Sequence, residues 1–208
     1  MILLIFGGNS GAKLVIDYAR QIGYSEFLLF DNYTSSWENF DFTGITIFSG
    51  DSKLNEFLNF DYFIATGDNT QRSIHFNSLF KIFKKQPVNI IHPSAIISNN
   101  VKLGFGNLIC PRVVINNSSE IGNGNIINTG CIIEHDNFIG DFSQLSPGSI
   151  LAGYVRIGNY CFIGSGASII PKCKIGHQSI IGAGSVVITD IPNKITAVGV
   201  PAKEINKK

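Results

Sequence analysis

The sequence predicts an α/β domain with a small parallel sheet, followed by a β-solenoid, and three observations carry that prediction. Apolar runs alternate with helical stretches over the first 86 residues, as in strand-helix-strand folds. A glycine-rich loop, GGNSGAK, lies between the first apolar run and the first helical stretch. From Ile91 to Val187 an aliphatic residue then recurs every six positions, from Ile91, Ile97 and Leu103 through Leu145 and Leu151 to Ile181 and Val187. A period of six fits neither an amphipathic helix nor an alternating strand, so it describes short strands that each send one aliphatic side chain inward.

Taken in order, residues 2 to 6 (ILLIF) form the first strand. The first helix follows the glycine-rich loop, with Leu14, Tyr18 and Ile22 expected on its buried face and Gly23 as its C-cap. FLLF at 27 to 30 supplies a second strand ending at Asp31 and Asn32. A third strand is expected near Ile45 to Phe48, a helix near Asp51 to Phe57, a fourth strand at Tyr62 to Thr66 ending at Gly67, and a helix from about Gln71 to Lys84. Pro87 then opens the solenoid, giving domains 1-86 and 87-208.

Within the solenoid, small or slender residues recur four places after each aliphatic position, Ser143, Ser149, Cys161 and Ala167 among them, as a narrow interior requires. Glycine often follows the aliphatic residue directly, at Gly104, Gly122, Gly140, Gly158, Gly164, Gly176 and Gly182, and is expected to supply positive φ at the corners. The period lapses after Val187, where position 193 is Asn, and the tail ITAVGVPAKEI is expected to cap the end.

Composition narrows the function. A net charge of +1 with 15% charged residues lacks the basic footprint of a nucleic-acid binder and favours small-molecule partners. The opening MILLIF is too short for a membrane span or signal core, which predicts a soluble, cytoplasmic protein. Cys131, Cys161 and Cys173 fall in the inward phase and Cys110 follows an aliphatic position, so packing is the expected role of all four.

Two histidines share one phase of the repeat. His135, flanked by Glu134 and Asp136, can serve as a general base beside a carboxylate or stand as a solvated surface residue, and His177 has the same phase, so phase does not choose between them. A zinc site through His92, His135 and His177 fails on spacing: gaps of 43 and 42 residues place them about 11 Å apart along the axis at ~4.8 Å per coil, whereas zinc-nitrogen bonds are ~2 Å. No metal is therefore expected. The loop at residues 7 to 13 can meet a phosphate at a helix N-terminus or be a structural turn, and Asp31 can contact a ribose or face water.

The six-residue repeat resembles the left-handed β-helix of the hexapeptide-repeat acyltransferases. Together with IGY after the first helix, FIATG at the fourth strand, IEHD in the solenoid and VGVPAK near the end, the chain is similar to the nucleotide-sugar N-acetyltransferases, those of the bacillosamine pathway above all, an arrangement that the sialic-acid O-acetyltransferases share. The resemblance implies a Rossmann-like amino-terminal domain that binds a nucleotide-linked amino sugar and a left-handed β-helix that binds acetyl-CoA, in a homotrimer. It implies acetylation of a sugar 4-amino group with His135 as base and Asp136 supporting it, and the Gly153 N–H as oxyanion donor. It puts acetyl-CoA contacts at Gln144, Ser165 and Ala183, and nucleotide-sugar contacts at Asn9, Ser10, Gly11, Asp31, Asn32 and Gly67. Gly11 stands where the family's first loop usually carries a histidine, and Gln144 where the relative has one. The alternatives are O-acetylation of a sugar of the sialic-acid type and a nucleotide-sugar-binding scaffold without activity.

Overall fold

The computed structural model describes residues 1-7, 9-30, 43-48 and 54-205, with the backbone alone described at Asn9 and Ser10. The chain divides into two compact units, Met1–Pro93 and Ser94–Lys208.

In the first unit, β1 (Ile2–Phe6), β2 (Glu26–Phe30), β3 (Ile45–Phe48) and β4 (Asp61–Ile64) form a parallel sheet in the order β3-β2-β1-β4. β1 is flanked on both sides, which is why Leu3, Leu4 and Ile5 are fully buried and its sequence is a continuous apolar run. Strand order reverses between β1 and β4, so a crevice opens at their carboxyl ends, where ligands bind in open α/β sheets.

Helix α1 (Asn9–Gln21) buries Ala12, Val15, Ile16 and Ala19, with Tyr18 beside them, while Leu14 is 43% exposed. This corrects the expected Leu14, Tyr18 and Ile22 face. The stripe at 12, 15, 16 and 19 has helical spacing, and its two alanines let the helix approach the sheet closely. Gly23 ends the helix at φ 101°, with its N–H on Arg20 O and the Tyr24 N–H on Ala19 O.

The helix expected near 51 to 57 is a single 3₁₀ turn, Leu54–Glu56, in its described part; residues 51 to 53 lie outside the described residues. Helix α2 (Asn69–Phe83) starts at Asp68, whose carboxylate accepts the Gln71 N–H at 2.8 Å.

In the second unit the six-residue period resolves into a left-handed parallel β-helix, a three-sided prism whose strands pair with those 18 residues away, as Ile126 with Gln144 and Ile132 with Ile150. One face runs from Leu108–Ile109 to Thr196–Val198, a second from Ile96–Ile97 to Val186–Val187, and a third from Lys102–Leu103 to Lys174–Ile175. The aliphatic column is the core: Ile109, Ile115, Ile127, Ile133, Ile139, Leu145, Leu151, Ile157, Ile163, Ile181 and Val187 are all 0% exposed.

The interior also holds polar residues that the aliphatic period does not announce. Asn107, Asn125, Ser143 and Asn137 are buried in the small-residue phase, and each side-chain oxygen accepts a backbone N–H of the next lap: Asn107 from Asn125, Asn125 from Ser143, Ser143 from Cys161 and Asn137 from Val155, at 2.7 to 2.9 Å.

The corner glycines work differently from expectation. Positive φ falls two positions later in each hexad, at Gly106, Gly124, Gly130, Gly148, Gly166 and Gly184, and also at Arg112, Ser118, Asp136, Phe142, Tyr154, Tyr160, Lys172 and Gln178. The glycines that directly follow the aliphatic residue have ordinary φ and are required by close approach: a Cβ on Gly158 would lie 2.7 Å from the His177 nitrogen of the next lap. Backbone packing against backbone, rather than torsion, selects glycine there.

The solenoid does not stop at the lapse of its period. Ile191 bridges Ile175 and Ala197 pairs with Ile181, each 16 residues on, so one shortened lap brings aliphatic and small residues back over the core. Lys203–Glu204 then turns back antiparallel on Thr196–Val198.

Candidate active site

The three edges of the prism carry different chemistry. Along the edge between the third and first faces, each turn residue caps the lap before it: Asn123 accepts from the Phe105 N–H, Asp141 from Asn123, Asn159 from Asp141, His177 through Nδ1 from Asn159, and Asn193 from His177, at 2.7 to 3.0 Å. His177 is thus one rung of a structural ladder. An Nδ1 that accepts a backbone N–H is unprotonated and occupied.

His135 lies on the edge between the second and third faces, in the turn joining Ile132–Ile133 to Phe138–Ile139, and its side chain is 52% exposed. Its Nδ1 is 2.8 Å from Asp136 Oδ2. An ionised carboxylate can only accept, so Nδ1 carries the proton, and in the neutral ring Nε2 keeps its lone pair. Asp136 reaches back because it sits at φ 57°, a conformation Asp tolerates better than most side chains. The Tyr154 ring stands edge-on to the imidazole at 5.3 Å and 89°.

One lap on, Gly153 lies directly against the ring: a Cβ there would be 2.7 Å from His135 Cε1 and 2.8 Å from Nε2. Gly153 is buried, and its N–H has no acceptor among the described residues, although its carbonyl accepts the Lys172 N–H at 3.1 Å. The edge therefore gathers His135, Asp136 and Gly153: an unprotonated nitrogen, the carboxylate that fixes its tautomer, and an uncommitted N–H. That set can remove a proton and receive an oxyanion.

Ser165 and Ala183 lie elsewhere, exposed on the edge between the first and second faces and one lap apart. Gln144, on a strand of the first face, points away from the core and pairs in register with Ile126 and Phe162. The second face separates this group from His135 and Gly153.

In the first unit, Gly11 opens the first turns of α1 beside the β4 loop; a Cβ there would meet Ala65 O at 2.7 Å, so close packing keeps it glycine. Gly67 follows β4, with nothing within 4 Å of the Cβ position. The side chains of Asn9 and Ser10, and the whole of Asp31 and Asn32, lie outside the described residues.

All four cysteines are buried, and none is in a disulfide. Burial pushes the Cys131, Cys161 and Cys173 thiols up from their ordinary value, and Cys131 Sγ donates to Ser146 O at 3.1 Å. Those three thiols are therefore not nucleophiles at neutral pH. Among the described residues no three His, Cys, Asp or Glu side chains gather into a metal-binding group, and no helix is long and apolar enough to cross a membrane.

Fold and site together define a left-handed β-helix acyltransferase with a Rossmann-like amino-terminal unit. Residues 2–79 match the PglD N-terminal domain family, and residues 154–189 the bacterial transferase hexapeptide (six repeats) family. PerB of Caulobacter crescentus, solved with CoA and GDP-perosamine, is 35% identical over 99% of this chain and 98% of its own, with a TM-score of 0.87. The acetyltransferase domain of PglB from Neisseria gonorrhoeae, solved with acetyl coenzyme A, is 28% identical over 98% of each chain, at 0.86. WeeI from Acinetobacter baumannii is 25% identical over 99% of this chain and 100% of its own, at 0.83. No curated protein sequence matches. The chain belongs to the hexapeptide-repeat nucleotide-sugar N-acetyltransferases.

Proposed function

We propose that this protein transfers an acetyl group from acetyl-CoA to the 4-amino group of a nucleotide-linked amino-deoxysugar. The observation that carries the reading is the contact of His135 with both Asp136 and Gly153 on one edge of the solenoid. The neutral amine attacks the thioester carbonyl, His135 Nε2 takes the amine proton, and Asp136 Oδ2 supports the imidazolium through Nδ1–H. The developing oxyanion receives the Gly153 N–H. Collapse expels the CoA thiolate, which takes up a proton, and no enzyme-bound acyl group forms.

Acetyl-CoA is held by the second unit through Gln144, Ser165 and Ala183, and the nucleotide sugar by the first through Asn9, Ser10, Gly11, Asp31, Asn32 and Gly67. The working assembly is a homotrimer. The outward residues support it: Ile126, Phe162 and Ile180 on the first face and Ile96, Val114, Ile132, Ile150 and Val186 on the second are apolar, whereas Lys102, Glu120, Arg156 and Lys174 mark the third. Two apolar sides of one prism suit a closed ring in which unlike faces of neighbouring copies meet.

The test is thiol release from acetyl-CoA against UDP-, dTDP- and GDP-linked amino sugars. Turnover is expected with a nucleotide-linked 4-amino-deoxysugar, and His135→Ala and His135→Asn are expected to lower kcat by roughly 10² to 10⁴ without loss of acetyl-CoA binding. Turnover with free sialic acid alone would overturn the assignment.

A further inference from the structure

Among its described residues the first unit buries one cation. Arg72, on the first turn of α2, is 1% exposed, and it holds two loop carbonyls and an amide: Nη1 donates to Thr66 O at 3.0 Å and to Gly67 O at 2.7 Å, and Nη2 to Asn69 Oδ1 at 2.6 Å. Burial pushes the guanidinium down to about 10, partly countered by the charge of Asp68, so it remains protonated at neutral pH. A charge taken out of water to bind two carbonyls of one exposed loop needs a reason in what that loop does.

Peptide planarity supplies it. In a trans peptide the C=O and the following N–H point in opposite directions, and the sole cis bond among the described residues is Val200–Pro201. By drawing the Thr66 and Gly67 carbonyls inward, Arg72 turns the Gly67 and Asp68 N–H groups outward. Neither N–H has an acceptor among the described residues. Successive outward N–H groups form a concavity that binds anions.

The Thr66 hydroxyl stands at the same place. It is 3.0 Å from His75 Nδ1, one turn further along α2, and a Cβ on Gly7 after β1 would lie 2.9 Å from it. It therefore faces the β1–β4 crevice, where strand order reverses. The Asp68 carboxylate is taken up by the Gln71 N–H at 2.8 Å.

We infer that Arg72 is a positioning residue for a diphosphate-binding nest made by the Gly67 and Asp68 N–H groups and the Thr66 hydroxyl, which holds the diphosphate of the nucleotide sugar in the β1–β4 crevice. The inference rests on the proposal that the first unit holds that substrate. Arg72 does not touch the ligand. It fixes the two peptide planes and contributes positive potential behind them, while His75 orients the Thr66 hydroxyl.

The experiment titrates UDP, GDP and dTDP into the full chain by calorimetry and pairs this with two-substrate kinetics, for the wild type, Arg72→Lys, Arg72→Met and Thr66→Val. For the nucleotide that the wild type binds, Arg72→Met is expected to weaken binding at least about tenfold, and Arg72→Lys and Thr66→Val roughly three- to tenfold, since a lysine lacks the planar fork whose second nitrogen holds Asn69 while the first holds both carbonyls. The KM for the nucleotide sugar rises in parallel, while the KM for acetyl-CoA and kcat at saturation stay within about twofold. Should Arg72→Met not fold, Arg72→Lys and Thr66→Val carry the test.

A folded Arg72 variant that binds the nucleotide as the wild type does, or one in which kcat falls with both KM values unmoved, overturns the role of Arg72. Hydrogen exchange on the wild type separates this from failure of the parent proposal. Protection of residues 64–68 by nucleotide supports the division of substrates between units, and protection confined to residues 94–205 overturns it and the nest together.

Discussion

A methyl group added at Gly153 would collide with the far end of an exposed side chain, not with backbone, so the imidazole of His135 can swing away at little cost. Gly153→Ala is therefore expected to leave stability within about 1 kcal/mol and to lower kcat by about 10², the scale of losing a catalytic group's placement by ~1 Å. Unchanged kcat in a folded Gly153→Ala variant would show that the ring position against Gly153 is irrelevant to turnover. The thiols give a second check: with all four cysteines at 5% exposure or less and Cys131, Cys161 and Cys173 raised by burial, iodoacetamide at neutral pH is expected neither to label the native protein nor to slow it. At this scale the sequence carried the histidine and its carboxylate side by side, because Asp136 adjoins His135. It was silent on Tyr154, Thr66, His75 and Arg72. Their parts depend on contacts across laps or on the direction of a peptide plane, neither of which has a periodic signature.

The ladder along one edge explains why two histidines of equal phase differ. His177 supplies one acceptor, which Asn123, Asn159 and Asn193 supply at other rungs. His177→Asn is expected to keep stability within about 0.5 kcal/mol, whereas His177→Ala, leaving the Asn159 N–H without its acceptor, is expected to cost about 1 kcal/mol, with kcat unchanged in both. Urea denaturation read beside turnover checks this, and a His177→Asn variant that is stable but inactive would contradict the structural role. The hexad period revealed that there are turns but not how they are built. Glycine follows the aliphatic residue so regularly that it suggests a torsional need there, while the left-handed position two places later accepts Phe142, Tyr154 and Tyr160. Stacking offsets some of the roughly 1 kcal/mol torsional cost of such residues, as with Phe142 and Tyr160 at 5.6 Å.

For the molecule as a whole, the aliphatic column determines whether the second unit exists. Ile163→Asp is expected to abolish soluble expression, because a carboxylate at a 0% exposed position with no cationic partner in the column costs more than about 4 kcal/mol. A soluble Ile163→Asp protein with native circular dichroism would place that column outside the core. The column and the strand-helix alternation were legible because each repeats one physical requirement many times over. The shortened lap at Ile191 was not, since it restores the core by a shift of two residues that breaks the counting rule. That ending bears on solubility. A parallel solenoid finishes on open hydrogen-bonding rims that a second molecule could extend, coil upon coil, into a fibre. Here Lys203–Glu204 runs against the grain of the strands before it and presents two charged side chains, and Gly199 O and the Ala202 N–H occupy both backbone groups of Val186. The final turn thus denies a growing stack the template it would need, and trimming the last few residues should convert a well-behaved enzyme into one that sediments with time.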